Sequence, residues 1–160
     1  MNLRNSYHRT FAPLVLGIIQ ASSRSEDERI KKKLLEACIC VIQKMTDYPP
    51  DMISLKAKSV VRAAGMNPGE LLWKDRLKFK RESGKSVIVF EHVQPITAFV
   101  KSLLDMTSSE DVIQAILQYP GVCIITREED DLLMRSGFKS LRPDGWEATY
   151  SNCQIEVLKL

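Results

Sequence analysis

At 160 residues, with 44% hydrophobic and 27% charged side chains, the chain can bury about two thirds of its unfolded surface and needs neither a disulfide framework nor a structural metal to fold. The net charge of +3 is modest but unevenly spread: residues 1 to 85 carry 17 Lys and Arg against 9 Asp and Glu, and residues 86 to 160 carry 6 against 11. A basic half suited to nucleic acid or an acidic partner is thus followed by a mildly acidic one.

The four cysteines, Cys38, Cys40, Cys123 and Cys153, form no CxxC pair. On a helix Cys38 and Cys40 point about 200° apart and cannot share a metal. All four read as reduced thiols in a cytosolic core, which places the protein in the cytoplasm. At the N-terminus Arg4, His8 and Arg9 precede the apolar run Phe11 to Ile19, the outline of a signal peptide. The spacing of Phe11, Leu14, Val15, Ile18 and Ile19 is instead that of an amphipathic helix, and the run is too short to span a membrane.

That helix is expected from Thr10 to Ala21. A second should follow with Ser25 as N-cap and Glu28 completing a capping box, burying Ile30, Leu34, Ala37, Cys38, Val41, Ile42 and Met45 against the first in an antiparallel pair. Tyr48, Pro49 and Pro50 end the pair as a short stiff linker. Ile53, Ala57, Val60, Val61 and Ala64 then predict a short helix stopping at Gly65, and Asn67, Pro68 and Glu70 a strong start for the next. Two short helices joined by Gly65, Met66 and Asn67 resemble a helix-turn-helix over Lys58 to Lys80, although Val61 and Lys74 depart from its usual small and apolar positions. On the second helix Lys74, Lys78 and Arg81 fall at i, i+4 and i+7, with Arg76 and Lys80 beside them and Lys85 shortly after. This is a basic surface whether the segment is a helix or a strand. Trp73 reads as core.

After a turn at Glu82 to Lys85, Val87 to Phe90 is an unbroken β-branched and aromatic run suited to a strand buried on both faces, delivering Glu91 and His92 to its end before Pro95. A helix at Pro95 to Asp105 leads to another capped by Ser108 with Asp111. Pro120 and Gly121 precede a second buried strand, Val122 to Ile125. Thr126 and Glu129 box the start of a helix over Arg127 to Ser136, closed by Gly137. Strand, helix, helix, strand predicts at least one parallel pair. From Phe138 onward short β pieces are expected, with turns at Pro143 to Gly145 and at Ser151 to Asn152, and a last strand from Cys153 to Leu158. The fold class is α+β in a single domain: a helical pair and proline linker to residue 50, a basic helical segment over 51–85, and a small mixed sheet flanked by helices over 86–160.

Glu91-His92-Val93-Gln94-Pro95 resembles the opening strand of the HNH, or ββα-metal, nucleases. The resemblance implies His92 as the base that activates water and Glu91 as a ligand to Mg²⁺ or Mn²⁺. No second strand follows Pro95, no Asn or His stands on the helix after it, and Asp105 or Asp111 would have to complete the metal site. The plainer reading makes Glu91 and His92 a hydrogen-bonded pair at a strand end. The acidic run Glu128 to Asp131 complements a helix dipole. Arg142 and Trp146 flank a turn where either could touch a ligand or simply pack.

There is no GxxxxGK[ST], GxGxxG or GxSxG and no histidine placed to serve a thiol triad, so nucleotide-driven and hydrolase chemistry find no support. The expectation is a non-catalytic protein without a cofactor. It binds DNA, RNA or a nucleic-acid-processing protein through Lys74, Arg76, Lys78, Lys80, Arg81 and Lys85. A metal-dependent nuclease using Glu91 and His92 and an inhibitor or adaptor of a protein partner are the alternatives.

Overall fold

The computed structural model describes residues 3–45, 49–80 and 83–160, excepting the side chains of residues 3–7 and of Met45. Tyr48 of the expected linker, Arg81 of the basic stripe and Glu82 of the following turn lie outside the described residues, as do the side chains of Arg4 and Met45. The architecture is α+β. Its helices are α1 Leu3–Arg24, α2 Glu28–Met45, α3 Leu55–Ala63, α4 Ile96–Ser102, α5 Ser109–Gln118, α6 Arg127–Arg135 and α7 Gly145–Asn152. Its strands are β1 Met52–Ser54, β2 Ile88–His92, β3 Val122–Thr126 and β4 Val157–Lys159. The residues group into two compact units, Met1–Thr46 with Ile96–Tyr119, and Asp47–Pro95 with Pro120–Leu160.

The first unit is helical, with α2 folded back on α1, α5 against α1 and α4 against α2. Helix α1 is longer than the Thr10–Ala21 span because its buried stripe begins earlier: His8, Ala12, Val15, Ile19 and Ser22 face inward, at spacings of three and four residues. Leu14, expected on that face, is 50% exposed. Pro13 lies inside the helix on the solvent side, where water can serve the carbonyl it leaves without an amide.

Helix α2 is capped by Asp27, whose carboxylate accepts from the Arg29 and Ile30 amides at 2.7 and 3.4 Å. Ser25 therefore is not the cap; both residues are good caps, and the one nearer the first helical residue takes the amides. Its inward face is Leu35, Cys38, Ile39 and Ile42, while Ile30 and Ala37 are exposed. All four cysteines are free thiols, but Cys40 is exposed rather than in the core. Its place two residues from buried Cys38 requires as much. Ser108 caps α5 as expected, accepting from the Asp111 amide at 3.1 Å. Ile96, Phe99, Val100 and Leu103 meet Val112, Ile113, Ile116 and Tyr119 in the same core as α1 and α2.

The second unit carries a four-stranded sheet in the order β2-β3-β1-β4. Central β3 is buried at all five residues, and each of its fully buried branched side chains contributes about 1.5–3 kcal/mol. It pairs parallel with β1, Met52 beside Cys123 and Ile53 beside Ile124, and antiparallel with β2. The parallel pair is present, but between β1 and β3 rather than between β2 and β3. Strand β2 lies at the edge of the sheet with only alternate residues buried, so it is not the doubly covered strand its composition suggests. Strand β1 occupies residues assigned to the start of a helix; Ser54, which ends it, caps α3 by accepting from the Ala57 amide at 3.1 Å.

One sheet face packs Ile53, Ile88, Phe90 and Ile124 against Ala57, Val61, Leu71 and Phe79; the other packs Met52, Cys123 and Ile125 against Leu133, Tyr150, Cys153 and Ile155. The C-terminal region also differs from expectation. Pro143 to Gly145 leads into α7 rather than a hairpin, Ser151 and Asn152 are its last residues, and the final strand is confined to Val157–Lys159. Helix α7 places Trp146 and Tyr150 one turn apart, edge to face at 5.7 Å, an i, i+4 contact that a strand could not make.

Candidate functional site

Strand alternation separates the two residues of the HNH-like motif. On β2, Phe90 faces the core shared with α3, and Val89 the core shared with Leu133 and Tyr150; Glu91 follows Val89 and His92 follows Phe90. The Glu91 carboxylate accepts from the Arg142 guanidinium at 2.5 Å through one oxygen and from the Tyr150 hydroxyl at 2.9 Å through the other. Arg142 also donates to the His92 carbonyl at 3.1 Å and lies over the Tyr150 ring, 5.5 Å from its centre. Its side chain is 3% exposed and that of Glu91 14%. Burial pushes the Glu91 carboxyl above its usual range, and the Arg142 charge and the hydrogen bonds pull it back. The same burial, with the Glu91 charge, drives the Tyr150 phenol far upward, so it stays a donor.

Burial lowers the His92 imidazole to about 4, so it is neutral at pH 7. Among the described residues no three His, Cys, Asp or Glu side chains gather as a metal site would need. Asp105 and Asp111 belong to the first unit, and Asp111 receives the Ser108 hydroxyl at 2.6 Å. Both Glu91 oxygens already accept these internal hydrogen bonds. Glu91, Arg142 and Tyr150 were unlinked in the sequence because 51 and 59 residues separate the partners. The one available hint was a lone arginine beside two aromatic residues spaced for one helix face.

A second buried carboxylate sits at the carboxyl ends of the parallel strands. Glu129 is 4% exposed and accepts from the Ser54 hydroxyl at 2.6 Å, the Thr126 amide at 2.8 Å and the Thr126 hydroxyl at 3.1 Å. Ser54 and Thr126 end β1 and β3 and cap α3 and α6, which cover opposite faces of the sheet. Open α/β sheets bind ligands in the crevice at such a switch point; here the chain's own carboxylate fills it. The capping box at Thr126 was legible in the sequence, but its reach to Ser54 was not.

The basic segment differs in local structure from a helix-turn-helix. Gly65 takes a left-handed φ of 71° and ends the first helix region as expected, but the second member is two 3-10 segments, Pro68–Glu70 and Trp73–Phe79. Three residues per turn dissolve the i, i+4 stripe and stack i, i+3 neighbours instead. Arg76 lies over the Trp73 ring at 4.0 Å and Lys78 pairs with Asp75 at 2.8 Å. The Lys78 ammonium and the Leu72 amide hold the Asp75 carboxyl below its usual value. Phe79, a turn beyond Arg76, is buried.

Lys74, Lys78, Lys80 and Lys85 are exposed and Arg76 is half-buried. An isolated antiparallel bridge joins Lys80 to Ser86, next to Lys85. Trp73 is not core: it is 45% exposed, edge to face with Phe90, between Leu72 and, four residues on, Leu77, which is 52% exposed. No helix among the described residues is long and apolar enough to cross a membrane. Comparison with protein families, curated proteins and solved structures finds no match to this chain.

Proposed function

We propose that the protein is a non-catalytic cytoplasmic binding protein whose segment from Leu72 to Lys85 takes nucleic acid, single strands in preference to duplex. The carrying observation is that exposed Lys74, Lys78 and Lys80 share one short segment with a half-exposed Trp73. Lysines neutralise phosphates and an aromatic face stacks on an unpaired base. Arg76, already stacked on Trp73, extends that planar surface. Both oxygens of Glu91 accept internal hydrogen bonds, which favours binding over the nuclease alternative.

A gel-shift series with single-stranded and duplex DNA, with and without Mg²⁺ or Mn²⁺, tests this. Four phosphate contacts, from Lys74, Lys78, Lys80 and Lys85, give a log–log salt slope of about −3, hence about a 50-fold loss of affinity for a fourfold rise in salt. Trp73→Ala weakens single-strand binding about tenfold. Nicking that needs metal and is lost in His92→Ala would replace this reading with the nuclease. The exposure of Leu72 and Leu77 favours a protein partner as the second reading; a salt-insensitive complex lost in Leu77→Asp would select it.

A further inference from the structure

Beside the Glu91–Arg142 pair a cleft of about 200 Å³ opens between β2, α6 and the loop that follows α6, lined by Glu91, Arg127, Asp130, Asp131, Lys139 and Arg142 with Leu133 and Met134. Three cations meet three carboxylates there, but two of each are already matched: Arg142 with Glu91, and Arg127 with Asp130 at 2.8 Å. Those pairs fix the two guanidinium planes. The Nε–H groups of Arg127 and Arg142 are nevertheless both buried and without an acceptor.

A buried charged donor left unmatched costs free energy, and the two side chains that carry these donors line the same cleft. Lys139 adds an exposed ammonium and Asp131 a carboxylate. The volume exceeds what a single water needs and suits a small organic acid.

We infer that this cleft binds a small oxyanion, a carboxylate or a phosphate, on a molecule that also carries a hydroxyl or amino donor. The oxyanion takes the Arg127 and Arg142 Nε–H groups and the Lys139 ammonium, and the donor meets Asp131. Charge-assisted bonds from planar guanidinium edges favour flat or tetrahedral oxyanions. The site shares no residue with the basic segment, so Lys74 and Lys78 substitutions leave it unchanged.

Arginine Nε–H resonances of the full chain are read in ¹H–¹⁵N spectra, assigned by their loss in Arg127→Lys and Arg142→Lys, and titrated with acetate, glycolate and inorganic phosphate. The expected result is a saturable shift of these two resonances alone. Glycolate should bind more tightly than acetate, Asp131→Asn should remove that difference, and Lys139→Ala should weaken binding about tenfold. Stronger binding of phosphate than of glycolate assigns a phosphate ligand, and the reverse order a carboxylate. Met134→Trp, at a 47% exposed position, fills the cleft and should abolish the shifts even if Arg142→Lys fails to fold. Resonances that do not move, that drift linearly together with those of surface arginines, or that respond equally in Met134→Trp would mean solvent or an adventitious ion only and overturn the inference.

Discussion

The carboxyl end of β2 and the segment from Trp73 to Lys80 are both rich in charge, and they use it in opposite ways. At Glu91 the ions are buried and each is answered from within the protein, by Arg142 and Tyr150. Along Trp73–Phe79 the cations point outward, and the pairing that exists, Asp75 with Lys78, is one turn long. The difference teaches that a charge from which solvent is withheld must be matched within the fold, whereas one left in solvent keeps its hydration and adds little to stability, whatever the residue type.

The largest test of that contrast is Arg142→Ala, which leaves Glu91 buried without its cation and should cost about 3–5 kcal/mol in urea unfolding. The double variant Glu91→Leu/Arg142→Met should recover most of the loss. A single-variant cost below about 1 kcal/mol would place the pair with surface ion pairs and end the comparison. An intermediate effect comes from His92. Its folded pKa of about 4 lies below its ordinary value of 6.5, so its contribution is complete above pH 6.5 and is lost as pH falls toward 4. The amount is on the order of 3 kcal/mol. Glu91, shifted upward by burial, works in the opposite sense, so the His92 share is read as the difference between the parent and His92→Gln. Parallel pH profiles would remove it. The smallest effect belongs to Lys78→Ala, expected to change stability by no more than about 0.5 kcal/mol, in the same assay.

What was legible in the sequence follows the range over which each signal acts. Ser108 with Asp111 and Thr126 with Glu129 announce α5 and α6 because capping is settled within four residues. The run Val122 to Ile125 announces β3 because a short unbroken apolar run after turn chemistry suits a buried strand. Strand β1 reads as part of a helix because it is only three residues long and its reason to be extended, pairing with β3 and β4, lies far along the chain. Helix α7 was missed because Pro143-Asp144-Gly145 is strong turn chemistry and the helix after it has little amphipathic stripe. Asp75, which accepts from the Leu72 amide at 2.9 Å, opens a 3-10 segment that looks helical by composition. Of the candidate site, Glu91 was visible and its partners were not: Arg142 and Tyr150 reach it only through the fold.

The parallel pairing of β1 with β3 has a consequence for the order in which the protein can form. Ser54 and Glu129 are 75 residues apart, and Asp51 and the Val122 amide, which its side chain holds at 3.0 Å, are 71 apart. A growing chain therefore finishes β1 and β2 well before the strand that joins them has been made. Until β3 emerges, the edges of both have no partner within the sheet, and contacts of such long sequence separation close slowly. A fragment ending at Pro120 would expose two unpaired strands and the buried face of Ile53, Ile88 and Phe90, making synthesis itself the stage at which this fold is most open to aggregation.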